Sequence, residues 1–206
     1  MKKFLLVDDH EIVRLGVKAV VESLFAPCHV YEAIDEKSAL IRLKEKNHDL
    51  VIMDVHMPDT NIFRLLEHIK LNFPATRILV FSMSAERIYA KKFMAAGALG
   101  YVPKNAGLPE LRKAIEAALN NRKYISPEFA DQLAMDFTNQ TVNPFHSLTP
   151  KEFEISSLLM AGESVSAISK TLHISSSTVG THKAKILHKL HAKNMVELCE
   201  MAKQYN

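Results

Sequence analysis

Residues 49–58 read D-L-V-I-M-D-V-H-M-P and contain a short, uninterrupted apolar run from Leu50 to Met53. The run is too short for a helix and rich in branched residues, so it predicts a strand buried on both faces of a parallel sheet. Asp54 follows the strand directly, at the position where ligands collect in open α/β sheets. Two interpretations of this carboxylate are open: an aspartate that bonds its own backbone in a turn, or a nucleophile or metal ligand.

Four more apolar runs of the same kind, at residues 3–7, 29–34, 77–81 and 99–102, alternate with amphipathic helical patterns. In the first of these patterns Ile12, Gly16, Val20 and Leu24 recur every four residues. The alternation predicts an α/β doubly wound, five-stranded parallel sheet with helices on both faces. Right-handed crossovers then place the carboxyl ends of all strands at one edge of the sheet.

Polar side chains follow the predicted strands at this edge, and we expect them to meet in one pocket. They are Asp8, Asp9, Asp54, Ser82 and Lys104. Converging carboxylates repel one another and need a cation, and oxygen ligands with water access suit Mg²⁺. An ammonium and a hydroxyl group beside them would stabilise a phosphoryl group in transfer. Asp54 is the predicted nucleophile because carboxylates can form acyl phosphates.

Four motifs occur in order along this part of the chain: D-D at 8–9, D-V-H-M-P at 54–58, F-S at 81–82 and G-Y-V-P-K at 100–104. Together they resemble a response-regulator receiver domain, which has a flavodoxin-like fold. The resemblance implies that Asp54 accepts a phosphoryl group from a sensor histidine kinase, a self-phosphorylation and not the reaction of a turnover enzyme. It also implies the metal ligands and the switch residues. The implied Mg²⁺ ligands are Asp9, Asp54 and the backbone carbonyl of His56, with Asp8 acting mostly through water; the implied switch residues are Ser82, Tyr101 and Lys104. Ile62 departs from the family, which usually has glycine there.

The last sixty residues have a purely helical pattern. Thr149 to Glu152 form a predicted capping box, and two short helices joined by a tight turn, the second one basic, indicate a helix-turn-helix. No acidic residue occurs between Glu163 and Glu197, although the net charge of the whole chain is only +3. Such a basic field suggests a polyanionic partner, with a solvated lysine surface as the alternative. The predicted domains are 1–120, a linker at 121–146, and a small all-α helix-turn-helix domain at 147–206.

Three motifs occur in the helical domain: L-T-P-K-E at 148–152, I-S-x-x-L at 168–172 and I-S-x-S-T-V at 174–179. Together they resemble the LuxR-type helix-turn-helix. With the receiver, they identify the chain as similar to NarL/FixJ-type response regulators. The resemblance implies double-stranded DNA as a partner and a homodimer when phosphorylated. The predicted DNA-facing residues are Ser175, Ser177, Thr178, Thr181, His182, Lys183, Ala184, Lys185 and Lys189. Gly180 stands where the family commonly has lysine, and the helical domain contains no arginine.

The composition predicts a cytoplasmic protein without a membrane partner. No apolar run approaches the ~20 residues that span a bilayer, and Cys28 and Cys199 lie too far apart in sequence to form a ligand-spaced pair. Two other functions stay open on the sequence alone. One is a Mg²⁺-dependent phosphohydrolase that uses Asp54; the other is an interaction module whose helical domain binds protein instead of DNA.

Overall fold

The computed structural model describes residues 1–58, 60–139 and 143–205. The chain divides into two compact units, the first made of Met1–Met83 with Phe93–Pro127 and the second of Ser84–Lys92 with Glu128–Asn206. Within the described ranges, no helix combines the length and the apolar character needed to cross a membrane.

The first unit is built on a parallel sheet of five strands, as the sequence predicted. The strands are β1 (Lys2–Val7), β2 (Cys28–Ala33), β3 (Leu50–Met53), β4 (Arg77–Ser82) and β5 (Gly100–Pro103). Their spatial order is β2-β1-β3-β4-β5, and every neighbouring pair is parallel. All four residues of β3 are buried, because the central strands of such a sheet are covered on both faces. The register pairs Val7 with Met53 and Met53 with Val80, which aligns the carboxyl ends of three adjacent strands.

Five helices connect and follow the strands. They are α1 (Glu11–Phe25), α2 (Glu36–Glu45), α3 (Ile62–Asn72), α4 (Glu86–Ala95) and α5 (Leu108–Leu119). The departure at Ile62 has a simple explanation: Ile62 is the first residue of α3, its side chain is buried, and the side chain of Asn61 caps the helix by accepting from the Arg64 amide. A residue inside a helix does not need the conformational freedom of glycine.

The second unit is helical. Its elements are α6 (Pro127–Asn139), a 3₁₀ turn (Pro144–Ser147), α7 (Pro150–Met160), α8 (Val165–Thr171), α9 (Ser176–Lys189) and α10 (Met195–Lys203). The stretch predicted as a linker, 121–146, therefore contains the whole of α6. Within this stretch, Ser126-Pro127-Glu128 predicts the start of a short helix that ends near Met135, and the observed helix continues to Asn139.

The helix-turn-helix is packed around a small apolar core. Phe153 and Ile155 of α7, Ile168 of α8, and Val179 and Ile186 of α9 are all buried. The turn between α8 and α9 places His173 in a left-handed conformation, with φ of 52°, and Ser175 then caps α9 by accepting from the Thr178 amide at 3.1 Å. These features are typical of a short turn followed by a serine-capped helix.

The segment Ser84–Lys92 is held in the second unit by polar and aromatic contacts. The ammonium group of Lys92 donates to the backbone carbonyl of Leu148, and the side-chain amide of Asn143 donates to the carbonyl of Arg87 at 2.9 Å. The rings of Tyr89 and Phe153 meet edge to face with centroids 5.2 Å apart. Tyr89, Asn143 and Phe153 are all buried, so the segment is part of the packed interior of this unit.

Candidate functional site

The acidic residues converge because β1 and β3 are neighbours that end side by side. The Asp54 amide donates to the carbonyl of Val7 at 2.8 Å, which places Asp54 next to Asp8. Potential ligand atoms of Asp8, Asp9, His10 and Asp54 all lie within 4.8 Å of one another. Asp8 and Asp54 are only 5% and 4% exposed. The structure thus gathers the three predicted carboxylates into one cluster at the carboxyl edge of the sheet, with Asp9 half-buried beside the two buried aspartates.

Lys104 joins this cluster through two short ion pairs. Its Nζ lies 2.7 Å from Oδ2 of Asp54 and 2.6 Å from Oδ2 of Asp8, and its backbone amide donates to the carbonyl of Ser82 at 2.8 Å. Burial opposes the charge on the ammonium, but the hydrogen bonds that it donates to Asp54 and Asp8 outweigh this effect, so the pKa of Lys104 is raised. A fixed positive charge therefore touches the central carboxylate.

The two oxygens of Asp54 have different partners. Oδ1 accepts from the amides of Val55 at 2.6 Å and His56 at 3.3 Å, while Oδ2 faces Lys104. One oxygen therefore bonds the backbone of the turn after β3, as the first interpretation predicts, and the other contacts the Lys104 ammonium. His56 is half-buried, and this burial lowers the pKa of its imidazole.

The cluster has the properties of a site for a hard divalent cation. Oδ1 of Asp9 is buried and accepts no hydrogen bond of normal geometry in the described part of the chain, although Nδ1 of His10 lies 3.0 Å away. Three carboxylates face a single ammonium, which leaves excess negative charge in a buried place. Carboxylate oxygens are the ligands that Mg²⁺ prefers, so the residues present fit this ion.

His10 was not singled out in the sequence. Its amide and its Nδ1 both approach Oδ1 of Asp8, at 2.9 and 3.2 Å, and the same ring nitrogen approaches Asp9. Its position immediately after the aspartate pair was the available indication. The ring is largely exposed, so it forms the solvent side of the cluster.

Ser82 and Tyr101 lie on the neighbouring strands β4 and β5. Ser82 is the last residue of β4, is fully buried, and pairs in register with Pro103, the residue before Lys104. Tyr101 is also fully buried, and its ring centroid is 6.2 Å from that of Phe93. The structure therefore brings Ser82 to the same edge as Asp54 and Lys104, whereas Tyr101 lies within the packed interior.

Most of the side chains predicted to face DNA lie on the exposed side of α9. Val179 and Ile186 are buried on the opposite side. The exposed residues are Ser175, Ser177, Thr178, Thr181, Ala184, Lys185 and Lys189, while His182 and Lys183 are half-buried. Ser175 lies 2.7 Å from Ser177 and 2.8 Å from Thr178, hydroxyl to hydroxyl. The first turn of α9 therefore presents a cluster of hydroxyl groups.

Lys189, which was predicted to face DNA, forms an ion pair within the second unit. Its ammonium pairs at 2.6 Å with Oε2 of Glu152, which is 5% exposed and belongs to α7. The same oxygen accepts from the Thr149 amide at 2.9 Å and so completes the predicted capping box. Although burial alone would raise it, the contacts with Lys189 and Thr149 lower the pKa of Glu152 to about 2. Lys189 is therefore engaged within the unit.

Comparison with known proteins agrees with this architecture. Residues 4–116 match the response regulator receiver domain, and residues 146–202 match the bacterial regulatory proteins of the luxR family. The response regulator GacA of Pseudomonas syringae pv. syringae (strain B728a) is 32% identical over 98% of this chain and 95% of its own length. The response regulator UvrY of Escherichia coli (strain K12) is 31% identical over 98% of this chain and 94% of its own length.

Solved structures of a further relative share the fold over the whole chain. A structure of the RcsB response regulator of Salmonella typhimurium is 25% identical, covers 100% of both chains and has a TM-score of 0.82. RcsB from Salmonella enterica serovar Typhimurium bound to the promoter rprA in the presence of the phosphomimetic BeF3⁻ is 24% identical, covers 98% of this chain and 99% of its own, and has a TM-score of 0.80. With a receiver domain followed by a LuxR-type DNA-binding domain, the chain belongs to the NarL/FixJ-type response regulators of two-component systems.

Proposed function

We propose that this response regulator is a cytoplasmic, phosphorylation-controlled transcriptional regulator whose Asp54 accepts a phosphoryl group from a sensor histidine kinase. The observation that carries the proposal is the pair of contacts from the Lys104 ammonium to Asp54 and Asp8. A buried carboxylate in contact with a fixed cation is prepared to carry a group with additional negative charge. The receiver-domain match over residues 4–116 supports the same assignment.

In the proposed transfer, an Asp54 oxygen forms a bond to phosphorus as the bond from phosphorus to the kinase's histidine nitrogen breaks. The amides of Val55 and His56 hold the other oxygen and so fix the plane of the carboxylate. The Lys104 ammonium then pairs with a phosphoryl oxygen, and the Ser82 hydroxyl donates to another. The backbone amides and side chains in these roles belong to residues at the same edge of the sheet.

Mg²⁺ is the proposed cofactor. The carboxylates of Asp9 and Asp54 and the backbone carbonyl of His56 would hold it directly, and Asp8 would act mostly through water. The ion would neutralise charge on the phosphoryl oxygens. The buried Oδ1 of Asp9 supports this role, because it accepts no hydrogen bond of normal geometry in the described part of the chain and a bound cation would compensate its charge.

The proposed output is a shift between two preexisting states of the receiver. Moving such an equilibrium from 1:99 to 99:1 requires about 5.5 kcal/mol of differential stabilisation. Ser82 ends β4, and the segment Ser84–Lys92, whose Lys92 is bonded to Leu148, follows it closely in the chain. A movement of Ser82 toward a phosphoryl group would pull on this segment. The active state then releases the helix-turn-helix from the receiver, or lets two chains pair on DNA.

Double-stranded DNA is the proposed target, bound by a homodimer through the exposed face of α9. The hydroxyl cluster at its first turn and Lys185 suit phosphate contacts, and small residues such as Ala184 allow a close approach to a groove. The RcsB relative has been solved bound to a promoter, which supports DNA as the partner of this chain. Two symmetry-related α9 helices would read half-sites about one helical turn apart.

The test is a DNA footprint before and after treatment with a small-molecule phosphodonor and Mg²⁺. We expect the donor to extend the wild-type footprint and to leave that of Asp54→Ala unchanged. Asp131→Ala is the matched control, because Asp131 is an exposed aspartate outside the acidic cluster. Identical footprints for the treated wild type and Asp54→Ala would refute control by phosphorylation.

A further inference from the structure

A large cavity opens at the amino ends of the strands, at the edge of the sheet opposite Asp54. It has a volume of about 910 Å³ and is lined by residues of the first unit only. Lys3 of β1, Arg77 at the start of β4 and Lys70 near the end of α3 contribute its positively charged wall. The volume lies within the range of about 300–1,000 Å³ that is typical of small-molecule sites.

The three cations of this amino-edge cavity have no carboxylate partner. Across residues 1–58, 60–139 and 143–205, no ion pair involves Lys3, Lys70 or Arg77. The Nη1 of Arg77 donates a hydrogen bond of 3.4 Å to the backbone carbonyl of Asp49. Asp49 is the one carboxylate among the lining residues, and its Oδ2 accepts from the Lys3 backbone amide at 2.7 Å. The cavity therefore carries a local excess of positive charge.

Two buried polar groups beside the cations are also incompletely satisfied. The Nε of Arg77 is buried without a hydrogen-bond partner in the described part of the chain. His48 is 4% exposed, and neither of its ring nitrogens makes a hydrogen bond of normal geometry there. A buried polar group without a partner typically costs about 1–3 kcal/mol, and a ligand that bonds it would recover part of this cost. Both His48 and Arg77 are among the residues that line the cavity.

The rest of the lining suits a flat organic group. Phe73 and Pro74 are apolar lining residues, and Thr76 and Asn121 are neutral polar ones. A planar base stacks favourably on an aromatic ring, and amides discriminate among the polar groups at its edge. Cations on one side and an aromatic surface with amides on the other match a ligand that carries both phosphates and a base.

We propose that the amino-edge cavity binds a nucleoside polyphosphate, with the phosphates at Lys3, Lys70 and Arg77 and the base against Phe73. This site is separate from the acidic cluster and does not depend on phosphorylation of Asp54. Its concave shape favours a small molecule over a nucleic-acid strand, which would require an open track along the surface.

Isothermal titration calorimetry of the full chain tests the proposal. EDTA is included so that metal-dependent binding at the acidic cluster does not contribute. The titrants are ATP, ADP, adenosine, inorganic tripolyphosphate and a short DNA duplex. We expect ATP and ADP to bind with 1:1 stoichiometry, tripolyphosphate to bind at least tenfold more weakly than ATP, and adenosine to bind more weakly still. No heat with either nucleotide at millimolar concentration would overturn the proposal.

Charge-removing variants locate the site. Lys3→Gln and Lys70→Gln should each weaken ATP binding by about tenfold, the loss expected for one charge-assisted hydrogen bond. Lys44→Gln removes the same charge from an exposed position of the same unit outside the cavity and should leave the affinity unchanged. Thermal unfolding of each variant checks its fold. Lys70 is exposed on α3, so Lys70→Gln remains informative even if Lys3→Gln fails to fold.

Three results would contradict the assignment. Equal effects of Lys44→Gln and Lys70→Gln would show that binding is unspecific screening by surface charge. Equal affinities for tripolyphosphate and ATP would overturn the role of Phe73 and the nucleoside. A duplex that competes with ATP and is weakened by the same two variants would replace the proposal with a nucleic-acid surface.

Discussion

Replacing Glu152 with glutamine removes the negative charge that links the start of α7 to the end of α9. In the wild type, one carboxylate oxygen bonds both the Lys189 ammonium and the Thr149 amide. Glutamine keeps the shape of the side chain and an oxygen that can accept from Thr149. The substitution therefore isolates the contribution of the charge to the stability of the helix-turn-helix.

The magnitude follows from the pKa of Glu152. A fall from the ordinary value of 4.5 to about 2 corresponds to roughly 3 kcal/mol of stabilisation at neutral pH. The carboxylate is buried, but the Lys189 side chain is 37% exposed, so water screens part of the attraction. We therefore expect Glu152→Gln to lower the free energy of unfolding of the second unit by about 1–2 kcal/mol at pH 7.

The pH dependence has a defined sign. Because folding lowers the pKa of Glu152, its contribution is complete above the unfolded value of 4.5 and is lost as the pH falls toward about 2. The difference between the wild type and Glu152→Gln should therefore be constant from pH 7 to about 5.5 and shrink progressively below pH 4.5.

Differential scanning calorimetry of the full chain measures this difference as a shift in the transition of the second unit. For a domain of 60–100 residues, 1 kcal/mol corresponds to about 4–8 °C. Glu163→Gln is the matched control, since Glu163 is an exposed glutamate of the same unit. An unchanged transition at pH 7, or a difference that persists undiminished at pH 3, would refute the role assigned to the ion pair.

Three further predictions concern single side chains. Gly180→Ala should raise the thermal stability by about 0.5–1 kcal/mol, because Gly180 lies in α9 and an added Cβ meets no atom within 4 Å; a lower melting temperature would contradict this. Gly100→Ala should destabilise the first unit by about 1–3 kcal/mol in urea unfolding, because the new Cβ would lie 3.0 Å from Leu79 and from the Tyr124 carbonyl; an unchanged midpoint would show that these neighbours yield freely. Lys185→Ala should reduce the salt dependence of DNA binding by about one phosphate contact, measured by fluorescence anisotropy, and an unchanged slope would remove Lys185 from the interface.

The sheet and the acidic cluster were predictable because short stretches of sequence determine each strand and the polar residues that follow it. Each buried strand is a short apolar run, and parallel connections place the residues that follow these runs at one edge. Asp8, Asp54 and Lys104 could be selected in this way before any distance was known. The start of helix α6 was predicted from Ser126-Pro127-Glu128, but its end was placed near Met135 and the helix extends to Asn139, because no glycine or proline directly after Met135 marks where it stops.

The pairing of Lys189 could not be predicted from the sequence because its partner is 37 residues away. From the sequence alone, a lysine on a basic helix could equally be solvated, contact DNA or pair with a carboxylate. The packing of α7 against α9 decides among these, because it brings Glu152 to Lys189. The two roles of Glu152 illustrate the same difference. Its part in the capping box follows from a spacing of three residues, whereas its ion pair depends on the tertiary fold.

The salt dependence of DNA binding can measure whether two chains pair on DNA. Lys183 and Lys185 are the predicted DNA-facing lysines of α9 that are not paired with Glu152. With about 0.9 in the salt slope for each phosphate neutralised, α9 contributes a slope of about −2 from one chain and about −4 from two. Other cations of the second unit add to both values, but two chains still double the slope of one. Phosphodonor treatment should therefore double the slope if phosphorylation controls dimerisation on DNA, and an equal slope in both states would place the control at another step.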